Sequence, residues 1–264
     1  GVRLTRLLGT PALPLHDPFL MLDAFHSDRP GDYLAGFPDH PHRGFETVTY
    51  ILAGRMRHWD NKGHSGVIGP GGVQWMTAGR GLVHSEMPEQ QDGLLSGFQL
   101  WVNLPARLKL CEPRYQEFAA EAIPAEVRDD GATVRVIAGR TSQGTHGVVA
   151  DNPVDAHYFD VTVPPGGTFV EPVAQAFNVL LVPVQGAAGL TDAAGAEREV
   201  TPGAIAVLGD GGAVRVHAAG GQPLRFLLIA GRPLNEPVAR GGPFVMNTRD
   251  ELVQAMQDFQ AGRF

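Results

Sequence analysis

Two short segments carry paired side chains of the kinds that bind metal ions in proteins. His40 and His42 are separated by one residue, and His84 and Glu86 have the same spacing. In an extended strand, residues i and i+2 lie on one face roughly 6.5–7 Å apart, so each pair can converge on one ion. The sequence therefore predicts a single metal site that is formed by two strands.

The donor set narrows the choice of metal. Three imidazoles and one carboxylate suit a borderline divalent ion, namely iron, manganese, nickel, copper or zinc. The set contains no thiolate, so it does not indicate a structural zinc site of the cysteine-rich kind. Four protein ligands on an octahedral ion leave two positions open, which is what substrate binding or oxygen activation requires.

Other side chains near these pairs are candidates for supporting roles. Glu46 follows His42 by four positions and would share its face on a continuing strand, so it is either a fifth polar group in the cavity or a side chain satisfied by Arg43 or a backbone amide. Four apolar side chains would supply a flat substrate pocket or part of the core: Phe37, Phe45, Trp75 and Met76. His58 and His64 flank a turn-like segment and are interpreted as loop residues without a metal role.

The positions of glycine and proline predict a β-rich fold. These two residue types account for 34 and 21 of the 264 residues, which leaves little room for long helices. Short β-branched and aromatic runs lie between them, a pattern typical of β-sandwiches and barrels. Only the segment 248–259 has the apolar spacing of a helix, with Thr248 or Asn247 as its N-cap.

Matching turn positions indicate an internal duplication. Gly54 and the Pro70-Gly71 turn recur as Gly186 and Pro202-Gly203, each 132 positions later. We therefore expect two β-domains, 1–128 and 129–264. The same shift moves the four ligand positions onto residues that cannot bind a metal: Pro172, Ala174, Val216 and Ala218. The sequence thus predicts one metal per chain, in the first domain.

The net charge and the cysteine content limit which partners the protein can bind and in which cellular compartment it is expected. The formal net charge of −7 argues against direct nucleic-acid binding. The single cysteine, Cys111, cannot form an internal disulfide and has no neighbouring His and Asp that would make it a nucleophile. No apolar run is long enough for a membrane helix, and no signal-peptide core is visible. We expect a cytoplasmic protein that does not bind membranes.

Longer strings of residues resemble the pirin family of the cupin superfamily. The string GFPDHPHRGFETVTY at 36–50 contains the His-x-His pair, and HSEMP at 84–88 contains the His-x-Glu pair. Further similar strings lie at 17–23, 74–81, 99–105 and 242–248, whereas 127–220 is the least similar part. The resemblance implies a bicupin, that is, two antiparallel β-barrels, with Fe2+ bound in the first barrel by the family's ligands: His40, His42, His84 and Glu86.

The resemblance also implies two functions that share the same ligands. Some pirin-like proteins are quercetin 2,3-dioxygenases, so the first hypothesis is an Fe(II)-dependent enzyme that cleaves a flavonol, or another small aromatic substrate, with O2. Glu86 would accept the hydroxyl proton, with Glu46 as the alternative base. Other pirins resemble transcriptional cofactors, so the second hypothesis is a non-enzymatic iron and redox sensor that acts through a protein partner. A metal-bearing protein with another small-molecule substrate is the third.

Overall fold

The computed structural model describes residues 1–192 and 194–264. Within them the chain forms two compact units. The first unit comprises Gly1–Ala120 together with Leu234–Phe264, and the second comprises Glu121–Pro233. The predicted division between residues 128 and 129 differs from these units in two respects. Residues 121–128 lie in the second unit, and the C-terminal segment 234–264 lies in the first.

The described residues form mainly β-strands. The strands of the N-terminal segment are β1 Thr5–Leu8, β2 Phe19–Ser27, β3 Phe37–His42, β4 Phe45–Ala53, β5 Met56–Asp60, β6 Ser65–Ile68, β7 Val73–Thr77, β8 Leu82–Pro88, β9 Leu95–Asn103 and β10 Arg114–Phe118. Those of the second unit are β11 Ala125–Val127, β12 Thr133–Ala138, β13 His157–Val163, β14 Thr168–Pro172, β15 Asn178–Gln185, β16 Ala187–Thr191, β17 Glu197–Val200, β18 Ala206–Leu208, β19 Ala213–Ala219 and β20 Leu224–Gly231. The C-terminal segment contributes β21 Ala239–Gly241, β22 Phe244–Met246 and helix α1 Arg249–Gln260. Single 3-10 turns lie at Pro30–Asp32, Ala106–Leu108 and Ala120–Ala122.

Two antiparallel sheets enclose the core of the first unit. One has the strand order β1-β2-β9-β4-β7-β10, and the other has the order β3-β8-β5-β6. A buried apolar cluster contains Phe25 and Ile51 from the first sheet and Met56 and Ile68 from the second. This cluster fills one end of the space between the sheets, and the predicted metal ligands lie on the second sheet.

The second unit repeats this topology. Its sheets have the orders β11-β12-β13-β20-β15-β18 and β14-β19-β16-β17, so each strand from β3 to β9 has a counterpart among β14 to β20. Gly54 and Gly186 occupy equivalent turns with φ of 81° and 74°, a conformation that favours glycine. The duplication is therefore present in the fold. The predicted all-β class is confirmed, whereas closure of the two sheets into barrels stays a prediction.

The C-terminal segment is held to the first unit by backbone and apolar contacts. Val245 N donates to Arg43 O, and Phe244 and Met246 pack with Leu252 of α1. The predicted helix over 248–259 is confirmed as Arg249–Gln260, and Thr248 caps it through a reciprocal pair of hydrogen bonds with Glu251. None of the helices described is long and apolar enough to cross a membrane.

Candidate metal centre

The two predicted ligand segments lie on adjacent strands. His40 and His42 are on β3, and His84 and Glu86 are on β8. The strands pair in antiparallel register with His40 opposite His84. Because paired residues in such a ladder project to the same side, the imidazoles of the two strands meet on one face of the sheet.

Three of the predicted ligands form a compact cluster. One nitrogen from each of His40, His42 and His84 lies within 4.8 Å of the other two. The ring centroids are 4.7 Å apart for His40 and His42, 4.4 Å for His40 and His84, and 5.0 Å for His42 and His84. Three imidazole nitrogens at this spacing can bind one divalent ion.

Hydrogen bonds leave one nitrogen of each β3 imidazole available. His40 Nδ1 lies 2.8 Å from Pro38 O, and His42 Nδ1 lies 3.4 Å from Pro243 O. Because a carbonyl oxygen can only accept, each Nδ1 carries the proton and each Nε2 is left as a potential ligand. Both ring nitrogens of His84 are buried without a hydrogen-bond partner among the described residues. Since an unpaired buried nitrogen is unfavourable, a metal at this point fits the residues present.

The protonation states of His42 and His84 also suit a metal. Burial lowers the pKa of His42 well below its usual value, and the neighbouring His84 and His40 lower it further. Burial, followed by the proximity of His40, lowers the pKa of His84 to about 3. These imidazoles are therefore neutral at physiological pH, which is the form that ligates metals.

Glu86 lies beside the cluster in a hydrogen-bonded position. Its side chain is buried. Thr49 Oγ1 donates to Glu86 Oε1 at 2.9 Å, and Gln99 Nε2 donates to Glu86 Oε2 at 2.7 Å. The group of atoms within 4.8 Å of one another comprises the three histidines and not this carboxylate.

The structure does not bring Glu46 to the cluster. Gly44, with φ of 85°, separates β3 from β4, so the strand that carries His42 does not continue to Glu46. Along β4, Glu46 and Thr49 project to opposite faces, and Thr49 is the one that contacts Glu86. Glu46 instead accepts a hydrogen bond from Thr77 Oγ1 at 2.6 Å. This placement argues against Glu46 as the base.

The structure does not bring all four predicted pocket residues to the cluster. The Phe45 ring lies 5.0 Å from the His42 ring, next to the cluster. Trp75 pairs with Val48, on the Glu46 face of the sheet, and is therefore directed away from the cluster. Met76 packs with Ala78 and Leu82. Phe37 packs against the buried apolar cluster that contains Phe25 and Ile51.

Sequence reasoning missed Trp101 beside the cluster. Its ring lies 5.3 Å from the His42 ring and 4.2 Å from the Phe45 ring. With Phe45 it forms an aromatic wall next to the cluster. The signal that was available is the apolar string of β9, in which Gln99 and Trp101 share a face.

The interpretation of His58 as a loop residue was wrong. His58 is buried in β5, opposite Glu86 on β8, and its Nε2 lies 2.7 Å from Glu117 Oε2. The alternating residues 55–59 of the sequence were the signal for a strand, and the burial along β5 alternates accordingly. His64 does lie in the following turn, where its Nδ1 is 2.9 Å from Asp60 Oδ2.

Comparisons with known proteins found matches in both halves of the chain. The family model described as pirin matches residues 1–102, and the one described as pirin C-terminal cupin domain matches residues 158–264. A pirin-like protein of Caulobacter vibrioides is 58% identical over 264 residues, covering 100% of this chain and 93% of that protein. A pirin-like protein of Solanum lycopersicum is 46% identical over 266 residues, covering 100% and 87% respectively.

A solved structure has the same fold. The crystal structure of quercetin 2,3-dioxygenase from Acinetobacter baumannii superposes with a TM-score of 0.89 at 34% identity, covering 100% of this chain and 92% of that one. The family models span both halves of the chain, and the relatives align over its whole length. On these grounds the chain belongs to the pirin family.

Proposed function

We propose that this chain is a metal-dependent dioxygenase of the quercetin 2,3-dioxygenase type, with a flavonol as substrate. The observation that carries the proposal is the cluster of His40, His42 and His84 on one sheet face, with Glu86 beside it. The likeness to the Acinetobacter structure of that name supports the choice of reaction. The proposed reaction consumes one O2 and releases one carbon monoxide per flavonol, which leaves a depside and balances all atoms.

Four residues would hold the metal. His40 and His42 would bind through Nε2, His84 through one of its two unpaired nitrogens, and Glu86 through a carboxylate oxygen. This donor set suits Fe2+, which we propose as the ion. When bound, the metal supplies Lewis acidity toward the flavonol 3-hydroxyl and a redox-active centre for the reaction with O2.

The protein side chains have separate tasks in this proposal. Glu86 accepts the proton of the 3-hydroxyl at a carboxylate oxygen, because it is the acidic member of the predicted ligand set and lies beside the cluster. Phe45 and Trp101 form the aromatic wall beside His42, which excludes water from that side of the metal site. Both rings are buried, so this wall is preformed.

Turnover of quercetin tests the proposal directly. The full chain is loaded with Fe2+, bound iron is measured, and quercetin is added in air while flavonol absorbance and carbon monoxide are followed. We expect both signals from the wild type and neither from a His84→Ala variant treated identically. If iron is bound but turnover does not exceed that of free iron, the proposed dioxygenase activity is contradicted. The redox-sensor alternative would then be tested by partner binding to the Fe(II) and Fe(III) forms.

A further inference from the structure

A row of polar side chains crosses the inner face of the six-stranded sheet. The register places Glu117 opposite Gln74, Gln74 opposite Thr49, and Thr49 opposite Gln99, with one residue on each of β10, β7, β4 and β9. Paired residues in antiparallel strands project to one face. We call these four residues the polar row.

The two ends of the polar row contact different residues on the facing sheet. Thr49 and Gln99 both donate to Glu86 on β8. At the other end, Gln74 Nε2 donates to Glu117 Oε2 at 2.8 Å, and that oxygen lies 2.7 Å from His58 Nε2 on β5. The row therefore contains two amides of the same type, of which only that of Gln99 reaches the carboxylate of Glu86.

The orientation of the Gln99 amide follows from its partners. Glu86 can only accept hydrogen bonds when it is ionised, so the side facing it must be the NH2 group. On its other side, Gln99 Oε1 lies 3.4 Å from the indole N–H of Trp101, which can only donate. The two contacts thus require the same amide orientation.

We propose that Gln99 is a positioning residue that holds the carboxylate of Glu86 for metal binding, with Thr49 as its partner. The proposal rests on the metal site of the proposed function. Each carboxylate oxygen accepts one hydrogen bond from a neutral donor, which fixes the rotation of the group and leaves a lone pair on each oxygen. Neutral donors also leave the negative charge of the carboxylate available to the ion. Such partners typically raise metal affinity by 10-fold to 100-fold.

Substitution of the two glutamines in the polar row gives a matched test of the positioning role. Gln99→Met removes the donor on Glu86 at similar volume, and Gln74→Met makes the same change on β7, two strands away from β9 in the same sheet, where the amide contacts Glu117. Thr49→Val is the second test variant. Affinity for Co2+ is measured by competition with a chromophoric chelator, the d–d absorption spectrum reports the ligand set, and thermal unfolding of the metal-free forms checks folding.

We expect Gln99→Met to weaken Co2+ binding by at least about tenfold and to change the spectrum. Thr49→Val should do the same to a smaller extent, and Gln74→Met should match the wild type. On a Glu86→Ala background, Gln99→Met should have no further effect, because its only route to the metal is then absent. Wild-type affinity and spectrum in Gln99→Met, or a full effect without Glu86, would overturn the positioning role.

The two proposals fail in different ways. If His84→Ala retains wild-type Co2+ binding, the metal site itself is misassigned and the proposed function fails. If His84→Ala loses the metal while Gln99→Met keeps it with an unaltered spectrum, the metal site stands and only the role of Gln99 is wrong.

Discussion

The guanidinium of Arg43 donates a hydrogen bond to Asp258 Oδ2 at 2.7 Å. This ion pair joins the residue after His42 to helix α1, and both side chains are largely buried. The same guanidinium donates to Arg80 O and lies 4.3 Å from the centroid of the Phe264 ring. Helix α1 is thus bound through this ion pair to the end of β3, where the predicted ligand His42 lies.

Asp258→Asn should destabilise the protein by about 2 kcal/mol at neutral pH, because a hydrogen-bonded charge would lose its partner. Arg43 and Arg263 hold the pKa of Asp258 well below its usual range. The contribution is therefore full above the unfolded-state pKa of about 4 and is lost as the pH falls below it. Urea unfolding of both proteins from pH 7 to pH 3 measures the difference, which should shrink with acid.

Asp155→Asn in the second unit is the control for this ion pair. Asp155 lies 3.5 Å from Arg232, and both side chains are exposed. Exposed pairs contribute little, so the change should stay within about 0.5 kcal/mol. Equal effects of the Asp258 and Asp155 substitutions would contradict the importance of the buried pair.

His84→Ala should remove metal binding. The ring is buried in the three-histidine cluster, and no hydrogen bond to a described residue competes for its nitrogens. Metal that binds only the folded state raises the melting temperature, so Zn2+ should stabilise the wild type and not this variant. His146→Ala, at an exposed position in the second unit, should keep the full shift.

Metal stoichiometry tests the predicted difference between the two halves. The counterparts obtained by the shift of 132 positions from His84 and Glu86 are Val216 and Ala218, which are buried and apolar. We expect close to one metal per chain by elemental analysis, and none in His84→Ala. A value near two would show that a second site exists elsewhere.

Glu46→Gln should change stability rather than catalysis. Burial raises the pKa of Glu46 to about 7, against hydrogen bonds from Thr77 and Trp75 that lower it. The folded protein therefore keeps this proton at pH values where the unfolded chain has lost it. The contribution of this group to wild-type stability should fall by up to about 1.4 kcal/mol per unit as the pH rises from about 4.3 to 7.

The glutamine variant should lack this slope and be the more stable protein at pH 8. Its quercetin turnover should equal that of the wild type, because Glu46 projects to the face opposite Thr49 and the cluster. Glu86→Gln is the comparison that should abolish turnover. Loss of activity in Glu46→Gln, with normal metal content, would restore Glu46 as a catalytic candidate.

The sequence predicted local relationships well and relationships between sheets poorly. Spacing predicted that His40, His42 and His84 would come together, as they do in the structure, because the two-residue period of a strand fixes which side chains share a face. Glu46 was misplaced because the glycine turn after β3 interrupts that period. Gln99 contacts its partner across the space between two sheets, a relationship for which the sequence has no local pattern.

Lys109→Met should destabilise the first unit and change its response to alkaline pH. Lys109 is buried, and its Nζ donates to Gly44 O at 2.8 Å, Asn103 Oδ1 at 2.7 Å and Val245 O at 3.0 Å. Methionine would leave these acceptors unpaired, at a cost of about 3 kcal/mol at pH 7. Lys62→Met, at an exposed turn, should change stability by less than about 0.5 kcal/mol.

The pH dependence of stability distinguishes loss of the buried Lys109 charge from a general packing defect in Lys109→Met. Burial lowers the pKa of Lys109 to about 8. Between pH 8 and about 10.4 the unfolded chain holds a proton that the folded protein has released, so this group makes stability rise with pH by up to about 1.4 kcal/mol per unit. Urea unfolding should therefore give a more positive slope for the wild type than for Lys109→Met. Equal slopes in the two proteins would mean that Lys109 keeps its ordinary pKa in the folded state.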